Sequence, residues 1–221
     1  MPPPRLIILA RHAQSEHHVR RMTGGWTDMP LTPLGHEQSK RLAARLKSEL
    51  GDTPIAVYTS DFQRAAQTAA HIATAFYVAP IADARLREHN NGAAANMTIE
   101  EARAEFPGAL EPWLIDDRPF PDCESGRELF ERAAAFLDDL QDDGRVPVVV
   151  SHGGTIECMI ARWLMLTPEA VEPISLGAHT TGVTTLSRGA WGRAMVERMN
   201  DVAHLAGMEG WVGIGELLPS P

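Results

Sequence analysis

A chain of 221 residues with 44% hydrophobic and 22% charged side chains, and with Gly 18 and Pro 16 spread along it, has the composition of one large globular domain. That excludes a disordered, collagenous or repeat protein. The balance of 20 Lys+Arg against 29 Asp+Glu leaves a net charge of −9, which excludes broad adhesion to nucleic acid or an anionic membrane, so any anionic ligand must find a local positive pocket. Cys123 and Cys158 lie far apart and offer neither a disulfide framework nor a metal or redox pair. The apolar run before Arg11-His12 is too short for a secretory signal, and nothing approaches the ~18 apolar residues of a membrane span. A cytoplasmic protein without a targeting segment is expected.

In chain order, residues 6–10 (LIILA) are a short apolar run suited to a central strand covered on both faces. Thr32-Pro33 is an N-cap followed by proline at the first helical position, and Leu42, Ala43, Leu46 and Leu50 continue at helical spacing to Gly51. Residues 55–59 form a second strand. Ser60-Asp61 then caps a helix carrying Ala65, Ala66, Ala69, Ile72 and Ala73. Residues 77–81 are expected to be a third strand, 86–97 a loop and 98–105 a short helix. The stretch 107–126, with Pro107, Pro112, Pro119 and Pro121, belongs to a lid-like excursion around 86–126. Leu129, Ala133, Phe136, Leu137 and Leu140 mark another amphipathic helix. Residues 146–150 give the strongest strand signal, ending at Ser151-His152-Gly153-Gly154 before an apolar helix over 155–166. Residues 182–186 and 194–199 close the sheet, and the glycine-rich tail 207–221 is expected to be mobile.

Strands alternating with helices imply a single α/β domain over 1–221: a three-layer sandwich with a mostly parallel central sheet and helices on both faces. In such sheets the ligand lies at the carboxyl ends of the strands. Three strands end in cationic or histidine-bearing turns, Arg11-His12, Ser60 to Arg64 and Ser151 to Gly154. Two guanidinium forks with backbone N–H groups at a helix start describe an oxyanion site, and an imidazole among arginines is biased toward its neutral, nucleophilic form.

The blocks Arg11-His12-Ala13-Gln14-Ser15, Gly25-Trp26, Leu31-Thr32-Pro33-Leu34-Gly35, Ser60-x-x-x-Arg64-Ala65-x-x-Thr68-Ala69, Leu86-x-Glu88 and Ser151-His152-Gly153-Gly154 together resemble the histidine phosphatase superfamily, the phosphoglycerate-mutase-like proteins. The resemblance implies His12 as the nucleophile that becomes phosphohistidine, with Arg11, Arg64 and His152 on the phosphoryl oxygens. Glu88 would be the general acid for the leaving oxygen and then the base for water. Ser15, His18, Gly24, Gly153, Asn90 and with it Asn91 are further candidates for substrate contact, although Asn90-Asn91-Gly92 is also a plain turn signal. No metal or other cofactor is required.

The chain departs from the family pattern at Ala13, where glycine is usual, at His18, where Asn is common, and at Gly24, where Ser or Thr is common. Alanine would strain the turn if that position demanded a positive φ. Glu16, His17 and His18 lack a recognised metal-ligand spacing, and neighbours on a regular element should not face the same way. His71, His179 and His204 read as packing or surface histidines, and the tryptophans as core or pocket wall. The expected function is metal-independent hydrolysis of small phosphorylated metabolites. The partner is a phosphorylated substrate or inorganic phosphate, not nucleic acid or membrane, and a homodimer stays open. Two alternatives remain: a bisphosphoglycerate-dependent mutase, disfavoured because Glu88 leads into His-Asn-Asn-Gly and not the mutases' Glu-x-x-Tyr-Gly, and a catalytically weak phosphate-binding module. Specificity is expected in 89–126 and the C-terminal stretch.

Overall fold

The first apolar run forms strand β1 (Leu6–Arg11), in which Ile7 to Ala10 are buried. In the computed structural model, which describes residues 2, 4–111, 114–172 and 174–208, a one-turn helix α1 (Glu16–Val19) follows β1. The order then runs α2 (Pro33–Leu50), β2 (Ile55–Thr59), α3 (Gln63–Phe76), β3 (Ile81–Ala82), α4 (Ile99–Glu105), α5 (Gly126–Asp139) and β4 (Val146–Ser151). It ends with α6 (Gly153–Trp163), α7 (Pro168–Val171), β5 (Val183–Arg188) and β6 (Ala194–Asp201). The strands make one sheet in the order β3-β2-β4-β1-β5-β6. Strands β1 to β4 pair in parallel, and β5 runs antiparallel to both β1 and β6.

Because side chains alternate across a strand, one sequence run supplies both faces of the core. Ile8, Ala10, Val57, Val148 and Val150 pack with Leu42, Leu46, Ala69 and Ile72 of α2 and α3. Ile7, Leu9 and Val149 pack with Leu129, Phe136, Met159 and Ile160 of α5 and α6. These are the three expected layers, and each fully buried Leu or Ile contributes about 1.5–3 kcal/mol. The excursion carries a small cluster of its own, in which Ala94, Ala102, Phe120 and Cys123 are buried. No helix among the described residues is long and apolar enough to cross a membrane. Most of the tail 207–221 lies outside the described residues.

Three expectations are corrected. The third strand is two residues, Ile81 and Ala82, paired with Tyr58 and Thr59; Tyr77 instead closes α3 in the left-handed region with φ 57°. The stretch 86–97 is not plain loop, since Ala84–Leu86 and Gly92–Ala94 are 3-10 turns. Ser60-Asp61 does not cap α3: the N-cap is Phe62, and the Gln63 N–H is taken by Asp28 Oδ1 at 2.7 Å. Asp61 is drawn away to a two-point pair with Arg87. A cap supplied from another loop leaves no trace in the local sequence.

That remote cap yields a testable expectation. Asp28→Ala should destabilise the fold by about 1 kcal/mol and lower Tm by roughly 2–4 °C in scanning calorimetry, while Asp28→Asn, which keeps an acceptor, should recover most of the loss. An unchanged Tm in the alanine variant would remove Asp28 from the cap.

Candidate active site

The register of the central strands brings the motif turns together. Arg11 pairs with Ser151 across β1 and β4, the His12 N–H donates to Ser151 O at 2.9 Å, and the Ser60 N–H donates to Val150 O at 3.1 Å. The turns after β1, β2 and β4 therefore lie side by side at one edge of the sheet. Ala13 is wholly buried, lies outside the left-handed region and donates its N–H to Thr68 Oγ1. Alanine is thus tolerated there without backbone strain.

His12 Nδ1 lies 2.8 Å from Ala13 O. A carbonyl can only accept, so Nδ1 carries the proton and Nε2 keeps its lone pair. Burial, reinforced by His152, Arg11 and Arg64, holds the His12 pKa well below 6.5, so the ring stays neutral and nucleophilic at pH 7. His152 stands beside it, with ring centroids 5.0 Å apart. Its Nδ1 accepts from Arg64 Nε at 3.2 Å, which places its proton on Nε2. That Nε2 is buried without a partner, as is Arg11 Nε. Two orphaned donors beside a neutral imidazole are what an oxyanion would satisfy.

The two arginines are anchored before any ligand arrives. Arg64 Nη1 and Nη2 donate to Thr27 O and Gly25 O, both at 2.7 Å, so three of its five N–H groups are committed and its fork is less free than the sequence suggested. Arg11 Nη1 is held by Ala178 O. That turn is fixed in turn by Asn200 Oδ1, which accepts the His179 N–H at 2.7 Å. Burial lowers both guanidinium pKa values, Arg64 to about 10, against the raising influence of Glu88. Both remain cations at neutral pH.

His17 and His18 overturn the expectation that neighbours face apart. The α1 turn is so short that their rings stack 3.9 Å apart, at 5.8 and 5.6 Å from the His12 ring. Ser15 directs them both: its Oγ contacts His17 Nδ1 and its N–H donates to His18 Nδ1. With Nδ1 accepting, neutral His18 carries its proton on Nε2, 3.3 Å from Arg11 Nη2, so both groups point donors at one place. Burial first, and neighbouring cations second, push the His18 pKa to about 4 and the His17 pKa to about 2. Gly24 adopts φ +70°, a conformation that favours glycine, and a Cβ there would stand in ordinary contact with the His17 ring at 3.5 Å. His17 lines the cavity and was missed as a site residue.

Glu88 faces this cluster. Its carboxylate accepts from His89 N at 2.9 Å and from Gly154 N, at the start of α6, at 3.2 Å. Ser151 Oγ and Thr155 Oγ1 hold the carbonyls of Leu86 and Arg87, and Arg132 donates to the carbonyls of Arg85, Arg87 and Glu88 while paired with Glu124. Arg132 was also missed. Its signal was a charge at the edge of the apolar stripe Leu129, Ala133, Phe136. Asn90 is a turn builder, accepting the Gly92 N–H, and the cavity wall is Asn91, which holds Trp26 N and Thr23 Oγ1. The cavity measures about 270 Å³ and reaches Leu110 and Phe120 of the excursion at its far wall.

The strand ends and the turns after them thus gather two imidazoles and two guanidiniums, Arg64 buried and Arg11 half-buried, at one edge of an α/β sheet. Residues 7–202 match the histidine phosphatase superfamily (branch 1), and the chain belongs to that family. It is 32% identical over 206 residues to the probable phosphoglycerate mutase GpmB of Escherichia coli O1:K1 / APEC, a match covering 90% of this chain and 94% of that protein. Among solved structures it is similar to a mycobacterial glucosyl-3-phosphoglycerate phosphatase in complex with VO3, with TM-score 0.78, 27% identity and coverage of 89% of this chain and 99% of that one. It is also similar to an Entamoeba histolytica phosphoserine phosphatase in complex with 3-phosphoglyceric acid, with TM-score 0.72, 25% identity and coverage of 90% and 98%.

Two measurements follow from this geometry. A methyl group on Gly154 would stand 2.8 Å from Glu88 Oε1, whereas one on Gly153 meets nothing closer than 3.8 Å. Gly154→Ala should therefore lower kcat by about 10-fold or more, the scale of a displaced acid-base group, and Gly153→Ala should stay near wild type; equal effects would detach Gly154 from Glu88. The second measurement is pH dependence. His12, His17, His18, His152 and His204 all have pKa values depressed by burial, so below pH 6.5 the unfolded chain binds protons that the fold refuses. Stability should fall as the pH drops below about 6.5 toward 4, and a flat Tm over that range would contradict their burial as neutral rings.

Proposed function

We propose that this protein is a metal-independent phosphomonoesterase acting on small phosphorylated metabolites through a phosphohistidine on His12. One observation carries the reading: Ala13 O fixes the His12 tautomer with Nε2 free, beside donors on His152 and Arg11 that lack partners. In the first half-reaction, His12 Nε2 attacks phosphorus, the bond to the leaving oxygen breaks, and Glu88 supplies that oxygen's proton. In the second, Glu88 takes a proton from water as its oxygen attacks phosphorus, the P–N bond breaks, and inorganic phosphate leaves His12 neutral again. Charge on the equatorial oxygens is met by Arg11, Arg64 and the His152 Nε2–H, so fixed donors supply most of the stabilisation.

A mutase working through a bisphosphorylated intermediate would need cationic groups for a second phosphate. The arginines lining the cavity among the described residues are Arg11 and Arg64, both grouped around the His12 ring. This favours transfer to water, and the names phosphoserine phosphatase and glucosyl-3-phosphoglycerate phosphatase of the structural neighbours support the same reaction class.

Purified protein in EDTA should release phosphate from p-nitrophenyl phosphate, be inhibited by vanadate and form an acid-labile, base-stable phosphoprotein. His12→Ala should lose both the turnover and the adduct; an adduct that survives the substitution would refute His12 as nucleophile. Glu88→Gln separates the proton step from the phosphoryl step. An alkyl leaving group needs the proton and p-nitrophenolate does not, so phosphoenzyme formation from an alkyl ester should slow by about 10² to 10⁴ while the aryl ester is far less affected. Equal losses on both esters would reduce Glu88 to a shaping role.

A further inference from the structure

The phosphoryl cavity has a neighbour on the other side of Glu88. A second cleft of about 390 Å³ opens between the start of α6 and the segment after α7, with Ile115, Leu129, Val171 and Ile174 among its walls. The carboxylates of Glu157 and Glu172 also line it, and no Lys or Arg does among the described residues. Both carboxylates are fixed in place. Glu157 accepts from Ser175 Oγ and Gly177 N, and Glu172 accepts from Ile115 N.

The two cavities adjoin at the group that must protonate the leaving oxygen. His89 lines both. Gly154 lines the second and gives its N–H to Glu88 in the first; a methyl there would touch Glu88 Oε1 at 2.8 Å and Leu129 Cδ2 at 3.3 Å. In-line displacement puts the leaving oxygen opposite His12 Nε2, within reach of Glu88. The organic group therefore begins where the two cavities meet. A short one ends against Leu110 and Phe120, and a longer one continues past His89 into the apolar cleft. A carboxylate on that group would be carried toward Glu157 and Glu172, where like charges repel it.

We infer that the second cleft binds the organic part of the substrate, and that the substrate class is a phosphomonoester of an apolar, uncharged alkyl or aryl alcohol, not a phosphorylated carboxylic acid. This rests on the phosphomonoesterase reading above. It separates this chain from what its phosphoglycerate-named relatives would suggest.

The test reads binding without turnover, using non-hydrolysable ethyl-, butyl- and hexylphosphonate in titration calorimetry with the full chain. Each methylene that enters the cleft can tighten binding roughly fourfold, so hexylphosphonate should bind at least about tenfold tighter than ethylphosphonate. Ile174→Asp, at a position 43% exposed and so tolerant of the change, should flatten that slope, and Tyr77→Asp, at an exposed position that lines neither cavity, should leave it. 6-Phosphonohexanoate should bind more weakly than hexylphosphonate. A flat slope in the wild type, a slope kept in Ile174→Asp, or tighter binding of the carboxylated ligand would each overturn the inference. Absence of turnover on every ester would instead defeat the phosphomonoesterase reading, and the chain-length slope would still decide the cleft.

Discussion

The parallel pairing of β1 with β4 is the constraint on which the site depends. Opposed in register at Arg11 and Ser151, these strands place the next residues, His12 and His152, in adjacent turns, and the His12 N–H bond to Ser151 O locks the first turn to the second. A slip of one residue would send Arg11 to the opposite face, since strand side chains alternate. The apolar alternation on both faces of β1 and β4 forbids the slip. The same packing that buries Leu9 against one helical layer and Ala10 against the other therefore fixes the imidazoles relative to the guanidiniums.

Such a site is costly to assemble. Arg64 is fully buried and Arg11 half-buried, and both are compensated by the carbonyls of Thr27, Gly25 and Ala178, not by ion pairs. Glu88, the nearby carboxylate, spends its oxygens on backbone N–H groups. Two donors remain unsatisfied, each at a cost of about 1–3 kcal/mol. Surrounding histidines stay neutral because burial disfavours their charged form first and the neighbouring cations add to that. The fold bears these costs from its core, and the result is a set of donors already fixed around the His12 ring.

The sheet, its helical layers and the convergence of Arg11, His12, Arg64 and His152 were legible because each rests on a local pattern: continuous apolar runs, Thr32-Pro33, Ser151-His152-Gly153-Gly154. What escaped reading depends on contacts distant in sequence. The cap of α3 comes from Asp28, the choice between Asn90 and Asn91 is made by contacts to Trp26 and Thr23, and Arg132 reaches Glu88 from α5. His17 was set aside by a rule for regular elements, and α1, at one turn, is too short to obey it. The third strand failed for a related reason: two residues paired with β2 suffice to close the sheet edge, and no periodicity can be read in two residues.

Glu88 sits where the sheet-end turns and the cavity walls join. The imidazoles and guanidiniums stand at strand ends and the turns after them, whereas the cavity walls come from the excursion, the start of α6 and the segment after α7. An acid placed on a free loop would move with every change in those walls. Here the backbone that leads to it is held by Ser151 and Thr155, its own carbonyl by Arg132 and its carboxylate by the first turn of α6, so it belongs mechanically to the sheet although it lies at the start of the excursion. The walls beyond His89 can then differ without moving the Glu88 carboxylate.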